Sequence, residues 1–197
     1  RSNNPQKYFQ DAQVLEKAFN SPEDEDLKDR YAFYTAQSYR DADMPEKAIE
    51  WYAKRANLGG WYEEVYYSLL QIALLKIELN ASLNEIQNLL LATYEYRPQR
   101  AESLYHLARQ LRYHNKARLA YIYATVAANI PLSKDILFVD HSVYEWKAKD
   151  ELAVSAYWVG NYQLCHDLCL ELLANPTIPE RDKQRFQENL RFSKEHM

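Results

Sequence analysis

Two short clusters hold residue types that can do chemistry. Asp41-Ala42-Asp43 has the Asp-x-Asp form that binds a metal and nucleotide-sugar phosphates where it ends a strand. Cys165-His166-Asp167-Leu168-Cys169 brings two thiols, an imidazole and a carboxylate into five residues. The Asp pair, however, falls in a polar break between two helical patterns. There Asp43 can cap free N–H groups, Pro45 suits a first turn, and Glu46 suits the positive end of the helix dipole. Cysteines four apart on a helix have Cβ atoms roughly 5–6 Å apart, and a disulfide needs about 3.5–4.5 Å. Zinc would need two further ligands, and no second cluster offers them. The thiols read as small packing residues. His106, His114, His141, His166 and His196 show no ligand spacing, and no Ser or Cys sits in an elbow or triad-like context. Asn80-Ala81-Ser82 has the glycosylation form and reads as a turn. These residues predict no catalytic constellation, no metal and no cofactor.

The elements that carry them are helices. Only 3 glycines in 197 residues leave little material for hairpin turns or phosphate-cradling loops, whereas 17 tyrosines supply bulky packing groups. A net charge of −4 opposes nucleic-acid binding, which wants a concentrated basic face. No apolar run approaches a membrane span, and the start is not a signal peptide. Two cysteines give no disulfide framework, so a reducing, cytoplasmic setting is expected.

Residues 29–58 set the pattern. Ala32, Ala36 and Tyr39 share one helical face, and Ala48, Tyr52 and Ala56 recur every fourth residue after the break. Small residues opposite aromatics let two helices approach closely. One hairpin cannot bury its own apolar face, and copies follow. Helical hairpins are predicted over 25–58, 61–97, 100–130 and 143–175, with a capping helix over 179–195. From Ala48 to Ala120 is 72 residues, or two periods of 36, which is the signature of a helical solenoid. Residues 8–19 look like the second helix of a hairpin whose first helix is missing, so a piece of a longer polypeptide is expected, forming one domain over 1–197. Residues 131–142 form a longer connector containing Ile136-Leu137-Phe138-Val139, a strand-like or turn segment without an assigned place.

The pattern resembles the tetratricopeptide repeat: Ala36, Tyr39, Ala48 and Tyr52 fit it, as do Ala108, Ala120, Ala124 and Pro131, and Ala153, Gly160, Tyr162, Cys165 and Cys169. The second copy departs, with Leu or Ile where small residues belong. The resemblance implies an all-α, right-handed solenoid with a C-terminal capping helix. A narrower likeness rests on Tyr31-Ala32-Phe33-Tyr34, Ser38-Tyr39-Arg40-Asp41, Glu50-Trp51-Tyr52, Gly59-Gly60-Trp61, Tyr94-Glu95-Tyr96-Arg97-Pro98, Arg100-Ala101-Glu102 and Val143-Tyr144-Glu145-Trp146. These are similar to the repeat region that follows the catalytic domain in some family 2 glycosyltransferases. That implies a non-catalytic accessory tail.

In such a solenoid the first helices of the hairpins line a concave groove. By spacing, Tyr34, Gln37, Arg40, Tyr66, Tyr105, Arg109, Arg112, Tyr113 and Lys147 face it. Aromatic and guanidinium groups there suit a protein or acidic peptide, or a flanking catalytic domain, and also a glycan. Alternatively they cover a solvated helix face. Tetratricopeptide domains that grip a chaperone's C-terminal carboxylate use Lys and Asn on the first groove helix. Phe33 and Gln37 stand at the matching places, so that partner is not expected.

Overall fold

The computed structural model describes residues 4–197; the side chains of residues 22–24, where recapping after the first helix is expected, lie outside the description. Among the described residues ten α-helices follow one another: α1 (Pro5–Phe19), α2 (Lys28–Asp41), α3 (Pro45–Leu58), α4 (Tyr62–Glu78), α5 (Leu83–Tyr96), α6 (Glu102–Tyr113), α7 (Ala117–Asn129), α8 (Ala148–Trp158), α9 (Tyr162–Ala174) and α10 (Glu180–Glu195). A 3₁₀ turn, Pro22–Leu27, precedes α2, and a π-helical turn, Val143–Lys147, runs into α8. There is no strand among the described residues, so the protein is all-α. None of the described helices is long and apolar enough to cross a membrane.

The chain forms two compact units. The first is residues 4–89 with Asp135–Phe138, and the second is Leu90–Lys134 with Val139–Met197. In the first, α1 packs on α2, α2 on α3 and α3 on α4. In the second, α6 packs on α7 and successive helices continue to α10, while α6 also touches α8. The predicted small residues sit at the crossings. Ala32, Ala36, Ala48, Ala108, Ala120, Ala153 and Cys165 have no exposed surface. Ala153, Ala156, Cys165 and Cys169 form one cluster, and both thiols are free.

One turn recurs. Asp43, Asn80, Asn115 and Gly160 all have positive φ, at 59°, 55°, 58° and 84°. After each, the next backbone N–H donates to a carbonyl five residues back. These bonds are Met44 to Tyr39, Ala81 to Lys76, Lys116 to Leu111 and Asn161 to Ala156, at 2.8–3.0 Å. This is the Schellman closure of a helix C-terminus, which needs a left-handed residue that Gly, and less readily Asn or Asp, supplies. The role expected for Asp43 is thereby corrected. It ends α2; Met44 holds the N-cap position of α3, with no side-chain cap bond.

Buried ion pairs pin each unit. In the first, Arg55 is fully buried and donates from Nε to Glu64 (2.8 Å) and from Nη1 to the Gly59 carbonyl (2.6 Å). In the second, Arg100 meets Glu102 (2.6 Å), which also accepts from the Tyr144 hydroxyl (2.8 Å). Arg100, Glu102 and Tyr144 belong to the quoted glycosyltransferase-like motifs, and here they hold the fold.

Candidate functional site

The clearest cavity lies within the second unit, a cleft of about 530 Å³ between α6, the π-helical turn, α8 and α10. Helix α6 shows why residues gather there. Leu104, Leu107, Ala108 and Leu111 bury one stripe, leaving Tyr105, Arg109, Arg112 and Tyr113 on the face that meets the cleft. With Lys147, five of the nine residues predicted by spacing line one cavity.

The charges inside are mostly spoken for. Arg112 forms a fork with Glu151, Nε at 2.6 Å and Nη2 at 3.0 Å. Arg185 forms another with Asp150, at 2.7 and 2.8 Å. Lys147 donates to Asp140 (2.9 Å). Arg109 differs: among the described residues it has no carboxylate in ion-pair range. Its Nη2 donates to the Tyr113 hydroxyl (3.2 Å), and its guanidinium lies between the Tyr105 and Tyr113 rings at 5.6 and 5.7 Å. Those tyrosines stand four residues to either side, one helical turn each way. The hydrogen bond from Arg109 holds the Tyr113 phenol below its ordinary pKa. Burial, then the Arg109 charge, pushes His106 down to about 4, so its imidazole is neutral at pH 7. Burial raises the Glu151 carboxyl even against Arg112.

Past Tyr113 the surface continues to Trp158, which is 64% exposed, beside Asn115 and Ala117. The cleft can therefore hold an anion against Arg109 and place flat or apolar groups on neighbouring rings.

The other four predicted residues lie in the first unit. Tyr34 is half exposed. The Gln37 amide nitrogen is buried without a hydrogen-bond partner among the described residues. Tyr66 is fully enclosed and faces the core. Arg40 is bound to Asp41 (2.9 Å), to the Tyr67 and Tyr52 hydroxyls (2.8 and 3.3 Å) and to Gln71 (3.2 Å). Phe33, one of the two chaperone-grip positions, is buried.

Eight lining residues escaped the sequence reading of the groove: His106, Trp146, Asp150, Glu151, Val154, Asp182, Arg185 and Asn189. The last three were hidden in a helix read only as a polar cap. Their spacing of three and four, along one helical face, is the signal that could have marked them. Among the described residues no group of acidic, His and Cys side chains is arranged to hold a metal.

No protein-family model matches the chain, and no curated protein sequence matches it.

Proposed function

We propose that the chain is a non-catalytic, tetratricopeptide-like interaction domain, the accessory region of a family 2 glycosyltransferase, and that its second unit takes up an acidic group of a protein or peptide partner. The four equivalent helix-closing turns support the repeat assignment. One observation carries the binding reading. Arg109 is half-buried between two tyrosines and, among the described residues, lacks the carboxylate that each other cleft cation has. Partial desolvation of an unpaired guanidinium is unfavourable, and an incoming carboxylate relieves it with a charge-assisted hydrogen bond.

The test is a titration of fluorescein-labelled octaglutamate, with octaglutamine as the neutral control. Octaglutamate binds and weakens as salt is raised. Arg109→Ala lowers its affinity at least tenfold while the melting midpoint holds. Equal binding of the two peptides, or an unaffected Arg109→Ala variant, refutes the proposal. The parentage has its own check: the polypeptide that carries this chain also carries a strand-rich domain with Asp-x-Asp at a strand end.

The exposure of Tyr113 and Trp158 along the same surface favours a second reading, a module that holds the growing glycan. Titration with neutral and uronate oligosaccharides distinguishes it, and flat responses at millimolar sugar remove it.

A further inference from the structure

The first unit holds a peptide-like segment of its own chain on the α2–α4 face. Asp135–Phe138 belongs to this unit although it is distant in sequence. The backbone N–H groups of Ile136 and Leu137 both donate to one oxygen of Glu63, at 2.9 and 2.7 Å. Glu63 is only 5% exposed, so this carboxylate is a built acceptor for main-chain donors. Leu137 packs against the core cluster formed by α2, α3 and α4. The Phe138 ring lies 4.6 Å from Tyr67 and is stacked on Phe33 at 6.4 Å. Arg40 fixes the Tyr67 hydroxyl from the far side (2.8 Å). The face thus reads two consecutive amides, one apolar side chain and one aromatic ring, which a segment of that composition offers when it bends as residues 137–138 do.

Two observations mark the segment as displaceable. Ile136 is 83% exposed and Phe138 48% exposed, so much of their apolar surface gains nothing from the contact. Phe138 also has φ +44°, a conformation that a bulky residue adopts only under strain.

We propose that the Glu63–Phe33–Tyr67 face is a receptor for a bent apolar–apolar–aromatic segment of a partner protein, and that Ile136-Leu137-Phe138 is its intramolecular stand-in. The proposal is independent of the Arg109 cleft. A tethered segment competes at an effective concentration of roughly millimolar, so a free peptide binds the unmodified chain poorly.

The experiment uses the full chain with Asp135–Phe138 replaced by Gly-Ser-Gly-Ser, and a labelled peptide Ser-Lys-Asp-Ile-Leu-Phe-Val-Asp copied from residues 133–140. The opened chain binds this peptide at least tenfold more tightly than the unmodified chain. Adding Glu63→Ala, or changing the peptide's Phe to Ala, removes that gain. Equal affinity for opened and unmodified chains overturns the proposal. Hydrogen exchange on the unmodified chain decides independently, even where the opened chain fails to fold. The Ile136 and Leu137 amides exchange at least a hundredfold faster than the Ser68 and Ile72 amides of α4. Equal rates mean that the segment leaves only on global unfolding, and they overturn the proposal too.

Discussion

In the first unit, Arg40 is held by Asp41, Tyr52, Tyr67 and Gln71, and residues Ile136–Phe138 lie over the neighbouring rings. In the second, Arg109 has no carboxylate among the described residues, and the face around it opens into a cleft. Both arginines occupy the same kind of place: the exposed side of a hairpin's first helix, next to tyrosines. The difference lies in what the rest of the chain brings to that side. Around Arg40 the side chains of Asp41, Tyr52, Tyr67 and Gln71 take up the guanidinium, which becomes part of the scaffold. Around Arg109 the nearby carboxylates of Glu151 and Asp150 are engaged by Arg112 and Arg185, so its charge stays available.

The largest effect that sharpens this contrast separates scaffold charge from available charge. Glu64→Ala removes the buried carboxylate hydrogen-bonded to Arg55, leaving among the described residues only the Asp29 carboxylate at 3.9 Å, and is expected to cost about 3–5 kcal/mol. Arg109→Ala breaks no ion pair and should stay within about 0.5 kcal/mol. Chemical denaturation of both variants reads the difference, and a comparable loss at Arg109 would make it structural after all.

Helix crossings should not distinguish the units. Ala48→Leu in the first and Ala120→Leu in the second each overpack a fully buried contact, at about 1–3 kcal/mol. An unchanged melting midpoint in one of them would mean that its alanine meets no neighbour.

Acid should distinguish them, because all five histidines lie in the second unit. The His106 pKa is lowered from 6.5 to about 4 in the folded chain. A depressed value means that the stability it contributes is present above pH 6.5 and is lost as pH falls toward 4. Between pH 7 and pH 5 that loss is roughly 1–2 kcal/mol. His106→Phe flattens the slope, as followed by denaturation across that range. An unchanged slope would show that the imidazole is already charged or well solvated.

The smallest effects belong to the repeated turn. Asn80→Ala in the first unit and Asn115→Ala in the second place a Cβ-bearing residue without a local polar partner in the left-handed region, costing about 1 kcal/mol each. Unequal costs would show that the two turns are not equivalent despite their shared hydrogen bond.

The helices and their buried stripes were legible from residue spacing, because a period near 3.6 and small residues at crossings are local properties of the chain. Ala36, Ala48, Ala108, Ala120 and Ala153 are all buried as the pattern requires. Spacing also brought Tyr105, Arg109, Arg112, Tyr113 and Lys147 to one cavity. It misjudged Asp43, since a helix stop and the next helix start compete for the same polar residue, and only the backbone conformation shows which one holds it.

What the sequence determined by itself was therefore the helical character of the chain and the buried small residues of its helices, such as Ala36, Ala48, Ala108, Ala120 and Ala153. Only the tertiary structure decided which arginine is neutralised, that α10 lends Asp182, Arg185 and Asn189 to a cleft, and that Asp135–Phe138 docks on Glu63. The reason is physical. Helix periodicity arises from neighbours within two turns, whereas the Arg112–Glu151 and Arg185–Asp150 pairs and the Glu63–Ile136 contact join groups 39, 35 and 73 residues apart, and spacing carries no record of where such groups arrive.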